Sequence, residues 1–122
     1  AGHADGGIGV RASSKSGTGA YVTSDGGTAL QVDAGPQALA LGVNGDVRFS
    51  SAGLAKFRKG QSSAVVSGVS TPNGCKVLVT LMQNPGPDNG LKYVKRTSDT
   101  GFTAYLHKPV GGVVSFAYFV VL

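Results

Sequence analysis

The sequence lacks tryptophan and glutamate, has one cysteine and one methionine, and only 14% of its 122 residues are charged. Twenty glycines, together with other turn residues, interrupt almost every short window of the chain. No stretch has the sustained i, i+3, i+4, i+7 apolar spacing of an amphipathic helix. These deficits argue against a helical protein and predict an all-β chain, either one domain or a repeat segment with one small domain.

Other absences narrow the class of protein. A lone Cys75 cannot form an intrachain disulfide, and we expect a small buried residue rather than a nucleophile. The longest apolar run, 113–122, is too short to span a bilayer, so no membrane insertion is predicted. No signal peptide is recognisable, and the abrupt start inside a glycine-rich repeat predicts a fragment of a longer protein.

The charge balance is basic but diffuse. Seven lysines and four arginines against six aspartates give a net charge of +5. Such a balance suits nucleic acid, an acidic glycan or a membrane surface, although a soluble surface with spare lysines is the simpler interpretation. Because there is no dense basic run and no zinc-finger or other nucleic-acid signature, no nucleic-acid partner is predicted.

A ten-residue pattern recurs at the start of the chain. It reads Ile-Gly-Val-Arg-Ala-Ser at 8–13, recurs at 18–23 and 28–33, and returns in degenerate form at 37–41. Each unit predicts a short strand that ends in a Gly, Ser or Asp turn. Internal repeats of this kind usually dictate the architecture.

Within each unit the apolar residues lie two apart and share one face. The predicted inward pairs are Val10 and Ala12, Ala20 and Val22, Leu30 and Val32, and Leu39 and Leu41, whereas Arg11, Tyr21 and Gln31 point away. Burying a Val or Leu side chain stabilises by ~1.5–3 kcal/mol. Ordering each residue's backbone costs ~1–2 kcal/mol. The segment therefore needs neighbouring chains, or else a meander on the C-terminal domain. Three intertwined copies are favoured because they leave no open strand edge.

From residue 46 onwards the strands lengthen and aromatic residues appear. The predicted strands are 46–50, 54–59, 63–70, 75–82, 91–97, 102–108 and 113–122. Asn44-Gly45, Asn73-Gly74 and Asn89-Gly90 are hairpin signals, so an antiparallel sandwich or barrel is expected. The last strand is apolar on both faces. As an exposed edge it would need a partner subunit to cover it.

Two segments resemble cofactor or metal motifs, but each lacks a feature that the site requires. Gly7–Ala12 matches G-x-G-x-x-A by letter, but a turn follows it where a dinucleotide site needs a helix. The Gly-Gly pairs at 6–7 and 26–27 resemble calcium-binding repeats, yet Arg11 and Gln31 occupy the aspartate position. No metal and no cofactor is predicted.

Catalytic residues are not predicted either. His3 and His107 are isolated, which favours a surface or interface role, because a general base needs a partner within hydrogen-bond reach. The aspartates mostly adjoin glycine or lie in other turn-like contexts, as in Asp99-Thr100-Gly101. No spacing among the aspartates indicates which two would form the carboxylate pair of a glycosidase.

One basic and aromatic segment is a candidate ligand site. In Lys92-Tyr93-Val94-Lys95-Arg96, Tyr93 and Lys95 are predicted to share one face, and Lys92, Val94 and Arg96 the other. Tyr105 and His107 alternate on a further strand, and Arg48, Lys56, Arg58 and Lys59 form a second basic group. Together these residues are candidates for holding a sulfated or acidic sugar, with tyrosine faces stacking on the ring. The simpler interpretation is a solvated sheet face or a protected edge strand.

The repeat resembles the β-helical shafts of bacterial and phage fibre-like proteins. The later segments Val-Leu-Val-Thr-Leu at 77–81, Phe-Thr-Ala-Tyr-Leu at 102–106 and Val-Ser-Phe-Ala-Tyr-Phe-Val at 114–120 resemble the C-terminal heads of trimeric tail fibres. The resemblance implies a homotrimer with an intertwined trimeric β-helical shaft over residues 1–45 and an antiparallel β-sandwich head over 46–122. It also implies contact with a host or a glycan.

The function hypothesis is a non-enzymatic structural and receptor-binding end of a trimeric fibre. It would lie outside the cell or on the surface of a virion or injection particle. The predicted ligand-contacting residues are Lys92, Tyr93, Lys95, Arg96, Tyr105 and His107. The alternatives are a trimeric glycan depolymerase, which needs paired carboxylates in a groove, and a monomeric carbohydrate-binding β-module.

Overall fold

The computed structural model describes residues 6–122. His3, predicted to have a surface or interface role, lies outside the described residues, as does Asp5. The chain divides into two units, the first ending at Gly45 and the second spanning Asp46–Leu122.

Residues 6–45 contain no strand. Bends recur at 15–17 and 25–27, ten residues apart, so the sequence repeat is also a repeat of backbone shape. One backbone–backbone hydrogen bond forms within this range, from the N–H of Ala38 to the C=O of Gly35 at 3.0 Å. The prediction of four strands here is wrong for the single chain. A strand requires a hydrogen-bonded neighbour, and the successive units do not pair with one another.

The apolar side chains of this first unit have no core. Every residue from 6 to 45 is exposed, including those predicted to face inwards. Leu30 and Leu41, for example, expose 64% and 62% of their surface. A trimeric shaft built from these residues therefore stays a prediction.

The second unit is an all-β domain of six strands. They are β1 (Ala52–Phe57), β2 (Ser63–Ser67), β3 (Lys76–Leu81), β4 (Leu91–Ser98), β5 (Gly101–Leu106) and β6 (Val114–Val121). Each overlaps a predicted strand, but the strand predicted at 46–50 is wrong. The chain instead turns into β1, with the N–H of Ala52 donating to the C=O of Phe49 at 3.3 Å. The ring of Phe49 packs on that of Phe119, their centroids 5.0 Å apart.

The strands form two antiparallel three-stranded sheets. Their orders are β1-β6-β3, here called the β6 sheet, and β2-β5-β4, here called the β5 sheet. The prediction that the last strand is an exposed edge is wrong, because β1 and β3 pair with both of its sides. The central position of β6 explains why both of its faces carry apolar residues. One face points into the core, and the other forms the middle of the outer surface of the β6 sheet.

The two sheets pack against each other around one core. Core residues of one strand lie two apart, as do Phe102, Ala104 and Leu106 of β5. The buried apolar residues are Phe57, Ala64, Val66, Val69, Phe102, Ala104, Leu106, Val110, Val114, Phe116 and Val120. Phe57 and Phe116 lie with their ring centroids 4.9 Å apart, and Phe102 meets Tyr118 of the opposite sheet edge-on at 5.2 Å. Cys75, just before β3, is partly buried against this core, which confirms its predicted burial in part.

The asparagine–glycine pairs do not form hairpins, contrary to prediction. Asn73-Gly74 lies between β2 and β3, and Asn89-Gly90 lies between β3 and β4. Each of these connections crosses from one sheet to the other. Asn44-Gly45 has no strand on either side, because residues 6–43 before it and 46–51 after it form none. Among the described residues, the hairpin between consecutive strands joins β4 to β5 through the turn at 99–100.

The described residues include no helix, and hence none that is long and apolar enough to cross a membrane.

Candidate functional site

The outer surface of the β5 sheet carries two stacked tyrosines. Tyr93 of β4 lies directly opposite Tyr105 of β5 in the ladder. Their rings are 4.5 Å apart between centroids and inclined by only 23°. Cross-strand aromatic pairs of this kind stabilise one another. The pair therefore presents a fixed aromatic surface, and Tyr93 exposes 47% of its surface.

Lys92 joins this surface because of a β-bulge. Leu91 pairs with Leu106 and Tyr93 with Tyr105, so Lys92 is the extra residue on β4. A bulge of this type interrupts the strict alternation of side chains. Lys92 is exposed, and its Nζ atom lies 6.0 Å from the centroid of the Tyr93 ring, at the outer limit of a cation–π contact. The predicted grouping of Lys92 with Val94 and Arg96 is wrong for this reason.

Lys95 is the second cation on the same surface. It lies opposite Thr103, two residues along β4 from Tyr93, which confirms that Tyr93 and Lys95 share a face. Lys95 is exposed, whereas Thr103 is buried. The name tyrosine face is used below for Lys92, Tyr93, Lys95 and Tyr105.

Arg96 is not brought to the tyrosine face. It lies opposite the core residue Phe102, on the other side of β4. Its Nε atom donates to the C=O of Thr71 at 2.6 Å, and its guanidinium group forms an ion pair with the carboxylate of Asp99. These contacts fix Thr71 against the β4–β5 turn, so Arg96 has a structural role in this fold.

His107 follows β5 by one residue and is exposed. Its backbone N–H donates to the C=O of Gly90 at 3.0 Å. The loop that follows is held by the side chain of Asn89, whose Nδ2 donates to the C=O of Lys108 at 2.9 Å. His107 therefore occupies a fixed position at the end of the sheet.

The second predicted basic group is only partly assembled. Lys56, Arg58 and Lys59 line one cleft between β1 and β2, together with Gln61 and Ser63. Arg48 is not among the residues that line it. The cleft itself could not be predicted from the sequence, because β1 and β2 belong to different sheets and the path between their edges is set by packing.

Metal-ligating side chains are not gathered into one site in the part of the chain that the structure describes. No three His, Cys or Asp side chains there lie close enough to hold a metal ion. Asp99 is bound by Arg96, and Asp33 accepts a hydrogen bond from the side chain of Gln31 at 2.8 Å. The groups that the tyrosine face offers to a ligand are instead tyrosine rings and lysine ammonium groups.

Comparisons with protein-family models, with curated proteins and with solved structures find no match to this chain.

Proposed function

We propose that this protein is the non-enzymatic receptor-binding end of a homotrimeric fibre, placed outside the cell or on a virion or injection particle. Its partner would be a glycan or other receptor on a cell surface. The observation that carries the proposal is the state of residues 6–45, where a regular repeat of apolar residues is entirely exposed in the single chain.

Most backbone N–H and C=O groups of residues 6–45 form no backbone–backbone hydrogen bond. Folded domains make about one hydrogen bond per residue, whereas one backbone–backbone bond forms within residues 6–45. The backbone groups of this segment and its exposed side chains, such as Leu30 and Val32, would be satisfied together by further copies of the same segment. Three chains in register would enclose the apolar residues and close the strand edges.

The outer surface of the β6 sheet supports the same assembly. Leu54 and Leu78 expose 73% and 53% of their surface, on either side of the β6 residues Ala117 and Phe119. The ring of Phe49 lies on Phe119 at the same surface. We call this surface the apolar face; it comprises Phe49, Leu54, Leu78, Ala117 and Phe119. Contiguous exposed apolar surface of this kind marks an interaction site.

A second copy of this chain is the occupant we assign to the apolar face. Phe49 belongs to the apolar face and comes shortly after the last apolar residues of the repeat, Leu41 and Val43. Exposed apolar residues thus continue from one unit into the other along the sequence. Chains that associate through the repeat would bring their apolar faces to the same assembly.

Receptor contact is assigned to the tyrosine face. Aromatic rings stack on the apolar faces of sugar rings, and neighbouring lysines donate hydrogen bonds to hydroxyl or acidic groups. Tyr93, Tyr105 and Lys92 supply both kinds of group within one fixed surface. The other candidates, Lys95 and His107, are exposed at the same sheet, while Arg96 is engaged elsewhere.

The mass of the full chain in solution tests the assembly. Light scattering should give three times the chain mass of 12.2 kDa. Val32→Asp should dissociate the trimer, because a charge would be buried in a small apolar core. Tyr21→Asp adds the same charge at a position predicted to face outwards, and should leave the trimer intact. A trimer that survives Val32→Asp would contradict an inward Val32.

A monomeric carbohydrate-binding module is the second candidate. It is favoured by the complete core of the second unit, which buries Phe57, Phe102 and Phe116 fully without any partner. A mass of one chain in the same experiment, with glycan binding retained, would establish this function in place of the fibre.

A further inference from the structure

The cleft between β1 and β2 gathers three positive charges. It has a volume of about 710 Å³. Lys56 reaches it from β1, and Arg58 and Lys59 from the turn that follows β1. Gln61 and Ser63 add neutral hydrogen-bonding groups to its wall. The name basic cleft is used below for this site.

The turn that carries Arg58 and Lys59 is anchored on both sides. The N–H of Gln61 donates to the C=O of Arg58 at 2.9 Å and closes the turn. Gly60 has a φ of +82°, which glycine adopts without the strain that other residues incur. Two further bonds join the turn to the buried Val110, one from the N–H of Gly60 at 2.8 Å and one to the C=O of Gln61 at 3.0 Å. The backbone below the two cations is therefore held in place before any ligand arrives.

No carboxylate lines the basic cleft. A lysine on an edge strand often serves to block pairing with another sheet, and Lys56 on β1 fits that role by itself. Arg58 and Lys59 lie beyond the end of the strand, where edge protection does not require a charge. Three positive charges thus line one cleft with no carboxylate among its lining residues, and an anionic ligand would be attracted to them.

The basic cleft is continuous with the tyrosine face. Ser63 lines the cleft and lies directly opposite Tyr105 in the β2–β5 ladder. Tyr105 in turn lies opposite Tyr93 of β4. Since neighbouring strands are about 4.8 Å apart, the route from Ser63 to Tyr93 crosses three strands in about 10 Å. A ligand of a few sugar rings can therefore touch both sites.

We propose that the basic cleft binds the sulfate or carboxylate groups of an acidic polysaccharide whose adjoining sugar rings lie on the tyrosine face. This inference rests on the proposed glycan recognition and names its ligand class. A nucleic acid fits less well, because single strands use separate ring faces for successive bases. Here the two tyrosine rings stack on each other, so the exposed Tyr93 ring can take one sugar but no second platform is available for a further base.

Binding of a short sulfated oligosaccharide to the full-length protein, measured by calorimetry, tests the site. The probe's desulfated and carboxyl-reduced form is measured in parallel. The double variant Arg58→Gln/Lys59→Gln should weaken binding of the sulfated probe by about tenfold or more, because charge-assisted hydrogen bonds are lost. Arg48→Gln/Lys76→Gln removes one arginine and one lysine as well, from exposed positions that do not line the cleft. This control should change the affinity by less than about threefold, since distant exposed charges are screened.

The outcomes separate this inference from the proposed function. An equal loss in both double variants would mean that net charge alone attracts the probe, and would overturn the basic cleft. Binding of the neutral probe as tightly as the sulfated one would also overturn it, while leaving glycan recognition standing. Displacement of the sulfated probe by a single-stranded oligonucleotide at lower concentration would assign the cleft to nucleic acid instead. Failure of every saccharide to bind would overturn both proposals.

Discussion

The hydroxyl of Thr71 accepts a hydrogen bond from the N–H of Gly101 at 2.8 Å, and so caps the first residue of β5 from outside the sheet. The same oxygen lies 2.7 Å from the C=O of Ser98, to which it donates. Thr71 is fully buried, and its own N–H donates to the C=O of Asp99 at 2.8 Å. One side chain therefore joins the β2–β3 connection to the β4–β5 turn.

Replacing Thr71 by valine should destabilise the protein by about 2–3 kcal/mol, because a buried N–H and a C=O lose their partner at constant side-chain volume. Urea unfolding followed by fluorescence or circular dichroism measures the change. Thr80→Val makes the same substitution at an exposed position of β3 and should shift the free energy of unfolding by less than about 0.5 kcal/mol. Equal effects of the two variants would contradict the role of Thr71.

Asn89→Asp tests the contact between the two loops beside His107. The Asn89 amide donates to the C=O groups of Pro85 and Lys108, and its oxygen accepts from the N–H groups of Gly90 and Lys108. A carboxylate cannot donate, so two carbonyl partners would be lost and the free energy of unfolding should fall by about 1–3 kcal/mol.

Hydrogen exchange at the Lys108 amide reports opening of this loop. Its exchange should accelerate in Asn89→Asp, because the loop opens more often once the donor is gone. Asn73→Asp places the same change in an exposed connection and should leave the Lys108 amide unaffected. Unchanged protection in Asn89→Asp would show that the loop is held by other contacts.

Gly101→Ala should be poorly tolerated. An added Cβ atom would lie 2.8 Å from the backbone oxygen of Val66, and the β2–β5 ladder would have to shift to relieve it. Overpacking of this kind typically costs about 1–3 kcal/mol. Gly111→Ala meets nothing within 4 Å and is the matched control. Thermal unfolding of the two variants should differ by several degrees for a domain of this size, and coincident melting curves would argue against the close approach at Gly101.

Tyr93→Ala tests recognition by the tyrosine face. If that face holds a sugar ring, loss of the Tyr93 ring should weaken glycan binding by about tenfold, or 1.4 kcal/mol. Tyr93→Phe keeps the stack with Tyr105 and should retain most of the affinity. A glycan array probed with both variants makes the comparison. Since a cross-strand pair contributes only about 0.2–1 kcal/mol to folding, the alanine variant should remain folded. Undiminished binding by it would remove the tyrosine face from the proposed function.

Alternation and turn residues predicted much of the second unit. The apolar positions of β6 divide between two faces as expected, with Phe116 and Val120 in the core and Phe119 on the outside. Tyr93 and Lys95 likewise share a face. These features depend on the local geometry of a strand, in which side chains alternate whatever the partner strand is.

Features that depend on partner choice could not be predicted. Asn89-Gly90 has the composition of a hairpin turn, but β3 and β4 belong to different sheets and its asparagine bridges two loops instead. The central position of β6 and the convergence of Lys56 and Arg58 in one cleft follow from packing of distant segments. The bulge at Lys92 has no signal in the sequence that we can identify.

The strand order also determines when the tyrosine face and the apolar face can form during synthesis of the chain. The β5 sheet has all its strands once Leu106 has emerged, so the tyrosine face can form early. Strands β1 and β3 have no ladder with each other and wait for β6 to join them. The apolar face therefore arises only when β6 pairs with β1 and β3, and the core side of the β5 sheet gains its cover in the same step.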